Sequence, residues 1–568
     1  MPRSLSLSSL LAAVVAAILG NRYNGALPPS KYDDAPQLGC HPFLPPLFVE
    51  TPPAASHPTA VLAASRTLED LFATRFAKGD IDSLSVAVIT SEGALYERNF
   101  GLLRGNESKT SPSTTSDASY RIASISKMFM TYEGFILQQK SRLSWHDKVD
   151  KYFPQFKYRL DGFNPSEEAP TQNESPVTLF QLATHMSGLG RDWPPGVASD
   201  WPHAATGGGP PPINGLPFPS HDSVFKAIEQ YHMVSPPFYY PSYSNTGTGL
   251  LGLILVAANG ATGSTEEPET YAELMKRDVF EPLGLSGSHF LTTEENRHSV
   301  VVPSSDSEIV DQDFLDAMNS AGGQFASLSD FIKLTQVILN PRRSESLLTP
   351  YSVNNWMQPV HTFEEDNWTE MGFMWEIVKI PDSNGRPRKI YWKLGEVGDY
   401  HSTLAIHPGT GYGISILMAS RHPDASSLVY EAFKTFQPAI DSALAEMSRA
   451  LYAGKWMSED GQSLARIVVE KGTLWLEQLQ PQGVDALKLF GSSGRLALRY
   501  SGRRDEFRID TGMADFNGAK HIGCYSYWVG QDLWGVRDGA AINVLYFTGD
   551  EAMRQLHVPS LSMTMSRA

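Results

Sequence analysis

The chain has 568 residues, 41% of them hydrophobic and 19% charged. That is the balance of a soluble globular protein long enough for two or more domains. Its formal charge of −16 argues against a nucleic-acid or anionic-membrane partner, which would need a basic patch, and no Lys/Arg run supplies one. With no Cys/His cluster at ligand spacing, no metal is expected.

At the N-terminus, "MPRSLSLSSLLAAVVAAILG" places one Arg before a short apolar run ending in small residues, and residues 1–20 read as a secretory signal peptide. The run is too short to span a bilayer comfortably, so a secreted protein without stable membrane insertion is expected after its removal. The sequons at Asn106, Asn173 and Asn367 agree with export, although Pro176 weakens the second. In an oxidising compartment Cys40 and Cys524 either form one bridge or remain two buried thiols, and the sequence leaves both open.

Residues 21–61 read as an extended, Pro-rich arm, "HPFLPPLFVETPPAASHP" being its clearest part. An amphipathic helix is expected over 66–78. Two alternating runs over 83–101, turning at Ser91-Glu92-Gly93, predict a hairpin. A buried helix follows at "RIASISKMFMTYEGFILQQ" (121–139), and "DKVDKYFPQF" is stopped by Pro154. The Gly/Pro-rich tract 190–220 has the length of a functional lid or an insertion. Residues 391–420 read as successive antiparallel strands. From 445 to 568 the alternation predicts an all-β module of roughly 120 residues. There is no internal repeat.

Ser124 and Lys127 share one helical face a turn apart. A serine hydroxyl needs a base, and a lysine serves only when its ammonium is desolvated or opposed by another cation. Ile122, Ile125, Met128 and Phe129 would supply the burial. Alone, S-x-x-K also arises by chance. Tyr243-Ser244-Asn245 opens a Gly-rich helix, and a phenol there can share a proton with Lys127. An aromatic turn before a core helix is the plainer alternative. Lys393-Leu394-Gly395 opens a strand where a lysine can depress the tyrosine pKa or meet a substrate carboxylate, and Gly395 would let a substrate approach the backbone. An ordinary edge-strand lysine is its plain alternative.

Taken together and in this order, the three segments resemble the serine β-lactamase/penicillin-binding-protein superfamily, specifically its class C β-lactamase-like branch. "LFQLATHMSGL", "YSNTGTGLLG", "AGGQFASLSDF" and "KLGEVGDYHSTLAIHP" extend the likeness over roughly 62–440. The segment "LRYSGRRDEFRID" resembles the lipocalin-like β domain often appended to this branch. The resemblance implies an α/β (α+β) fold, an antiparallel sheet flanked by helices with a helical subdomain, over 62–440. A separate all-β domain would follow over 445–568.

The resemblance also implies roles: Ser124 as the acyl-forming nucleophile, Lys127 as its base, Tyr243 in proton transfer, and Asn245, Lys393 and Gly395 toward the substrate. The backbone N–H groups of Ser124 and Glu396 would form the oxyanion hole. His185 and Ser187 read as structural, and Asp399 and His401 receive no catalytic role. No cofactor is implied. The expected activity is that of a serine hydrolase or acyltransferase, whether esterase, peptidase or transferase, on a small-molecule ester, amide or acyl substrate. A non-catalytic binding protein is the rival from another class. Leu394 stands where the family's β-lactamases usually carry Thr or Ser, Glu396 adds a negative charge, and Asp399 replaces a Gly. These departures disfavour an anionic β-lactam as substrate.

Overall fold

The structure is a computed structural model that describes residues 40–53, 59–107, 110–205, 207–260, 267–305, 307–422, 424–490, 492, 494–511 and 524–568. The signal peptide expected over 1–20 and the arm up to residue 39 lie outside the described residues. Among the described residues, no helix is long and apolar enough to cross a membrane.

The centre of the larger, N-terminal region is an antiparallel sheet of eight strands. In chain order these are β1 (Ile81–Thr90), β2 (Gly93–Gly101), β3 (Pro359–Thr362), β4 (Glu370–Gly372), β5 (Glu376–Pro381), β6 (Pro387–Val397), β7 (Tyr400–His407) and β8 (Tyr412–Ser420). Their spatial order is β2-β1-β8-β7-β6-β5-β4-β3. The hairpin expected at Ser91-Glu92-Gly93 joins β1 to β2, with Thr90 opposite Gly93.

Both faces of β1 are covered, so it reads as a nearly continuous apolar run rather than a strict alternation. Leu84, Val86 and Val88 join the core made with helices α1 (Thr59–Phe76) and α5 (Ala425–Tyr452). Ala87 and Ile89 join the other core, which holds α2 (Ser126–Gln139), α3 (Asn245–Gly260) and α4 (Leu328–Leu339). Helix α1 begins earlier than the pattern over 66–78 suggests, because Val61 and Ala64 extend its buried stripe by two turns.

Eight further strands between Gly454 and Arg567 close into a barrel. Its interior is filled by side chains, Trp456, Phe507, Leu545, Phe547 and Leu556 among them. Tyr452, at the end of α5, packs edge-on against Phe507 and tilted against Phe547, both 5.0 Å away between centroids. One helix therefore carries the outer core of the sheet into the core of the barrel. Cys40 and Cys524 form a disulfide across a sequence separation of 484. It ties the arm to the C-terminal region, and Leu44 and Phe48 of the arm are buried against the same core.

Helix α2 is buried from Ser126 to Leu137, and this stretch includes Glu133. Neither carboxylate oxygen of Glu133 has a hydrogen-bond partner. Burial, then the charge of Asp278, raise its pKa well above 4.5, against the weaker pull of Lys140 and Arg277. A carboxyl held protonated by the fold weakens stability as pH rises above its unfolded value. Glu133→Gln is therefore expected to raise Tm at pH 8 and leave it unchanged near pH 4, by thermal denaturation. The gain should grow as pH rises from 4 to 8, because the amide has no carboxylate to form in the unfolded chain.

Candidate active site

Ser124 lies in the 3-10 turn Ala123–Ile125, directly before α2. Ala123, with φ of 47°, holds a left-handed backbone, which costs an L-residue about 1–2 kcal/mol. Two neighbours hold this turn in place. The Arg121 guanidinium donates to the carbonyls of Ile309, Gly323, Val310 and Gln312. The Ile122 carbonyl accepts from Ser402 Oγ on β7 at 3.0 Å.

Gly395 has a different reason from the one expected. A Cβ there would lie 2.1 Å from the Ile122 carbonyl oxygen. The close approach is made by the chain itself, so this glycine seats β6 against the Ser124 segment.

Three side chains from two distant segments converge. Ser124 Oγ is 2.6 Å from Tyr243 Oη, and Lys127 Nζ donates to Ser124 Oγ at 3.1 Å. Lys127 also donates to Asn245 Oδ1 at 2.7 Å and to the Ala321 carbonyl at 2.5 Å. Asn245 turns its Nδ2 to Asp192 Oδ1 at 2.7 Å. Its amide is thus oriented from both ends, by a group that only donates and one that only accepts. Tyr243 is placed by the start of α3: the Ser244 hydroxyl accepts from the Gly247 N–H at 2.8 Å, and the Asn245 N–H donates to the Arg191 carbonyl at 2.8 Å.

Electrostatics tune these groups. Burial lowers the Lys127 pKa, and the Lys393 cation lowers it further, against the pull of Tyr243 and Asp192. Burial alone would raise the Tyr243 phenol, but Lys127 and Lys393 outweigh it and hold it below its ordinary value. The Nζ of Lys127 lies 5.1 Å from the Tyr243 ring centroid and that of Lys393 5.2 Å. Burial opposes the Lys393 ammonium too, yet Glu376 and Tyr243 keep its pKa above the usual value. The Lys393–Glu376 ion pair measures 2.5 Å. Desolvation by position and opposition by a second cation thus act on Lys127 together.

The Leu394 N–H donates to Glu376 Oε2 at 3.3 Å, so it points toward β5. Backbone direction repeats every second residue, and the Glu396 N–H faces the same edge. There β5 has already ended, its Glu376 lying opposite Trp392. Leu394 is half-buried, the Glu396 side chain is exposed, and Asp399 accepts a hydrogen bond from Ser305.

His185 is buried, with Nδ1 accepting from the Ser244 N–H at 3.1 Å and its ring 4.6 Å from that of Tyr243. Burial, then Lys127, Lys393 and Arg191, lower its pKa well below 6.5. Ser187 Oγ accepts from the Leu189 N–H at 3.3 Å. Asn106, Asn173 and Asn367 are all exposed. Among the described residues, no group of His, Cys, Asp and Glu could hold a metal ion.

Sequence reading missed Asp192, Glu376, Arg191 and Ala321. Arg191 lays its guanidinium 4.9 Å from the Tyr243 ring centroid. Asp192 and Arg191 open the tract 190–220, so that tract begins as part of the site. Ala321 lies in "AGGQFASLSDF", one of the segments that carry the family resemblance; the two carboxylates carry no periodic signal.

A polarised serine, a buried lysine and a tyrosine between two cations define a serine-hydrolase type of site on a mixed α/β fold. The beta-lactamase family model matches residues 68–434, and the chain belongs to the β-lactamase family of serine hydrolases. Beta-lactamase-like protein str6 of Strobilurus tenacellus is 38% identical over 314 residues, 53% of this chain and 99% of that protein. Penicillin-binding protein 4* of Bacillus subtilis is 24% identical over 473 residues, 75% of this chain and 89% of that one. Among solved structures, a β-lactamase/D-alanine carboxypeptidase from Yersinia pestis shares the fold. Its TM-score is 0.52 at 18% identity, and the match covers 67% of this chain and 99% of that one.

Proposed function

We propose that this protein is a secreted serine hydrolase that cleaves ester or amide bonds of a small molecule through an acyl-enzyme on Ser124. The observation that carries the reading is the approach of Ser124 Oγ to both Tyr243 Oη, at 2.6 Å, and Lys127 Nζ, at 3.1 Å. Ser124 Oγ adds to the substrate carbonyl carbon while its proton passes to the Lys127–Tyr243 pair. The Ser124 and Glu396 N–H groups face the oxyanion. The pair returns the proton to the leaving oxygen or nitrogen, and the acyl group stays on Ser124. Water then adds, gives its proton to the same pair, and the acid departs with Ser124 restored.

Asn245 and Asp192 position Lys127, and Lys393 supports Tyr243 through its charge. Secretion is supported by the signal-like N-terminus, three exposed sequons and a disulfide. Leu394 and the exposed Glu396 carboxylate weigh against an anionic β-lactam. The test is intact mass after exposure to esters, thioesters, peptides and lactams. A single adduct of acyl mass from an ester or amide is expected, and its loss to an added alcohol or amine faster than to water would identify an acyltransferase. A well-folded protein with no adduct from any of them would end the proposal.

A further inference from the structure

A second site lies away from Ser124, where arm, catalytic region and barrel meet. It is a cavity of about 480 Å³, within the range of about 300–1,000 Å³ typical of small-molecule sites. Its apolar lining comes from Leu47 and Val49 of the arm, Ile338 and Leu339 at the end of α4, and Met447 and Leu451 of α5. Met447, with Met357 beside it in the lining, can adjust to an alkyl chain.

The charged lining residues cluster and are unbalanced. Three guanidinium groups, of Arg342, Arg504 and Arg554, meet only two carboxylates, of Glu50 and Asp505. Glu50 is shared between Arg504, at 3.2 Å, and Arg342, at 3.9 Å. Asp505 is shared among Arg554, Arg504 Nε at 3.8 Å and the Tyr452 hydroxyl at 2.8 Å. Arg554 is only 7% exposed. Its Nη1 donates to the Gly549 carbonyl at 2.7 Å and its Nη2 to Asp505, but its Nε has no partner.

We propose that this cavity binds an amphipathic monocarboxylate of fatty-acid type, its chain between arm and α5 and its carboxylate among the three arginines. A single negative charge completes the balance, and an apolar body fills the remainder. Such a ligand touches three parts of the chain at once, so it binds the folded assembly and stabilises it by mass action.

Dodecanoate, below its micelle concentration, is the probe for the full chain. Calorimetric titration is expected to show saturable binding at one site, with a raised Tm. Met447→Trp, which adds bulk among the apolar lining residues, should abolish both effects. Arg504 has a side chain 70% exposed, so Arg504→Gln should fold as wild type and bind roughly tenfold more weakly. Ser124→Ala should bind as wild type, which separates this site from the active site. Binding unchanged in Met447→Trp or in Arg504→Gln, equal affinity for dodecan-1-ol, or no saturable binding to the wild type would overturn the proposal.

Discussion

Ser124→Ala is expected to abolish covalent labelling by a fluorophosphonate and to lower p-nitrophenyl ester turnover by at least about 10³-fold, as loss of a nucleophile within a catalytic unit does. The expectation rests on how the fold spends energy at this residue. Ala123 keeps a left-handed backbone (φ 47°) immediately before the serine. Gly395 and Ser402 clamp the Ile122 carbonyl from the sheet. Strain maintained by surrounding structure in this way gathers where a side chain must be held in one orientation. Alanine has no hydroxyl to acylate, but it removes only one oxygen, and the turn should survive. Circular dichroism and Tm should therefore match wild type. Labelling equal to wild type would mean that the reactive group is another residue, and a well-folded wild type that neither labels nor turns over any ester would favour the binding-protein reading.

The parts of this site that are legible in the sequence are those whose chemistry is written locally. Ser124 and Lys127 are one helical turn apart, and the apolar residues on either side of them are enough to announce burial. Tyr243 and Lys393 stand out through motif order, not through any property of their own segments. Asp192 and Glu376 escape because a carboxylate that reaches its partner across a loop or a strand pair leaves no spacing to read. Asp192 is 53 residues from Asn245, and Glu376 is 17 from Lys393. The Cys40–Cys524 bridge is undecidable from sequence for the same reason, since its ends are 484 residues apart and come together only through tertiary structure. The hairpin and the sheet strands follow from alternation and turn chemistry. That the barrel interior is packed, with Tyr452 of α5 at its end, depends on tertiary contacts that no short pattern encodes.

Lys127→Ala is expected to slow acylation by about 10²–10⁴-fold, the range attributed to a positioned general base. The pH dependence distinguishes a base from a merely structural lysine. Lys127 and Tyr243 share one proton position through Ser124 Oγ, so the acidic limb of the acylation rate reports the pair rather than either residue. The rate should rise with pH as the pair loses its proton. The Lys393 cation lowers both members. Removing it in Lys393→Ala therefore raises both, and the acidic limb should move to higher pH. Glu376 raises the Tyr243 phenol, so Glu376→Gln should move the limb the other way. The measurement is the single-turnover acylation rate against pH, with a neutral ester as donor so that no substrate charge titrates alongside. A limb that stays in place in Lys393→Ala would show that the second cation does not act on the proton acceptor. Opposite displacements in the two variants would mean that the field of the Lys393–Glu376 pair, and not the two lysines alone, sets the working pH of Ser124.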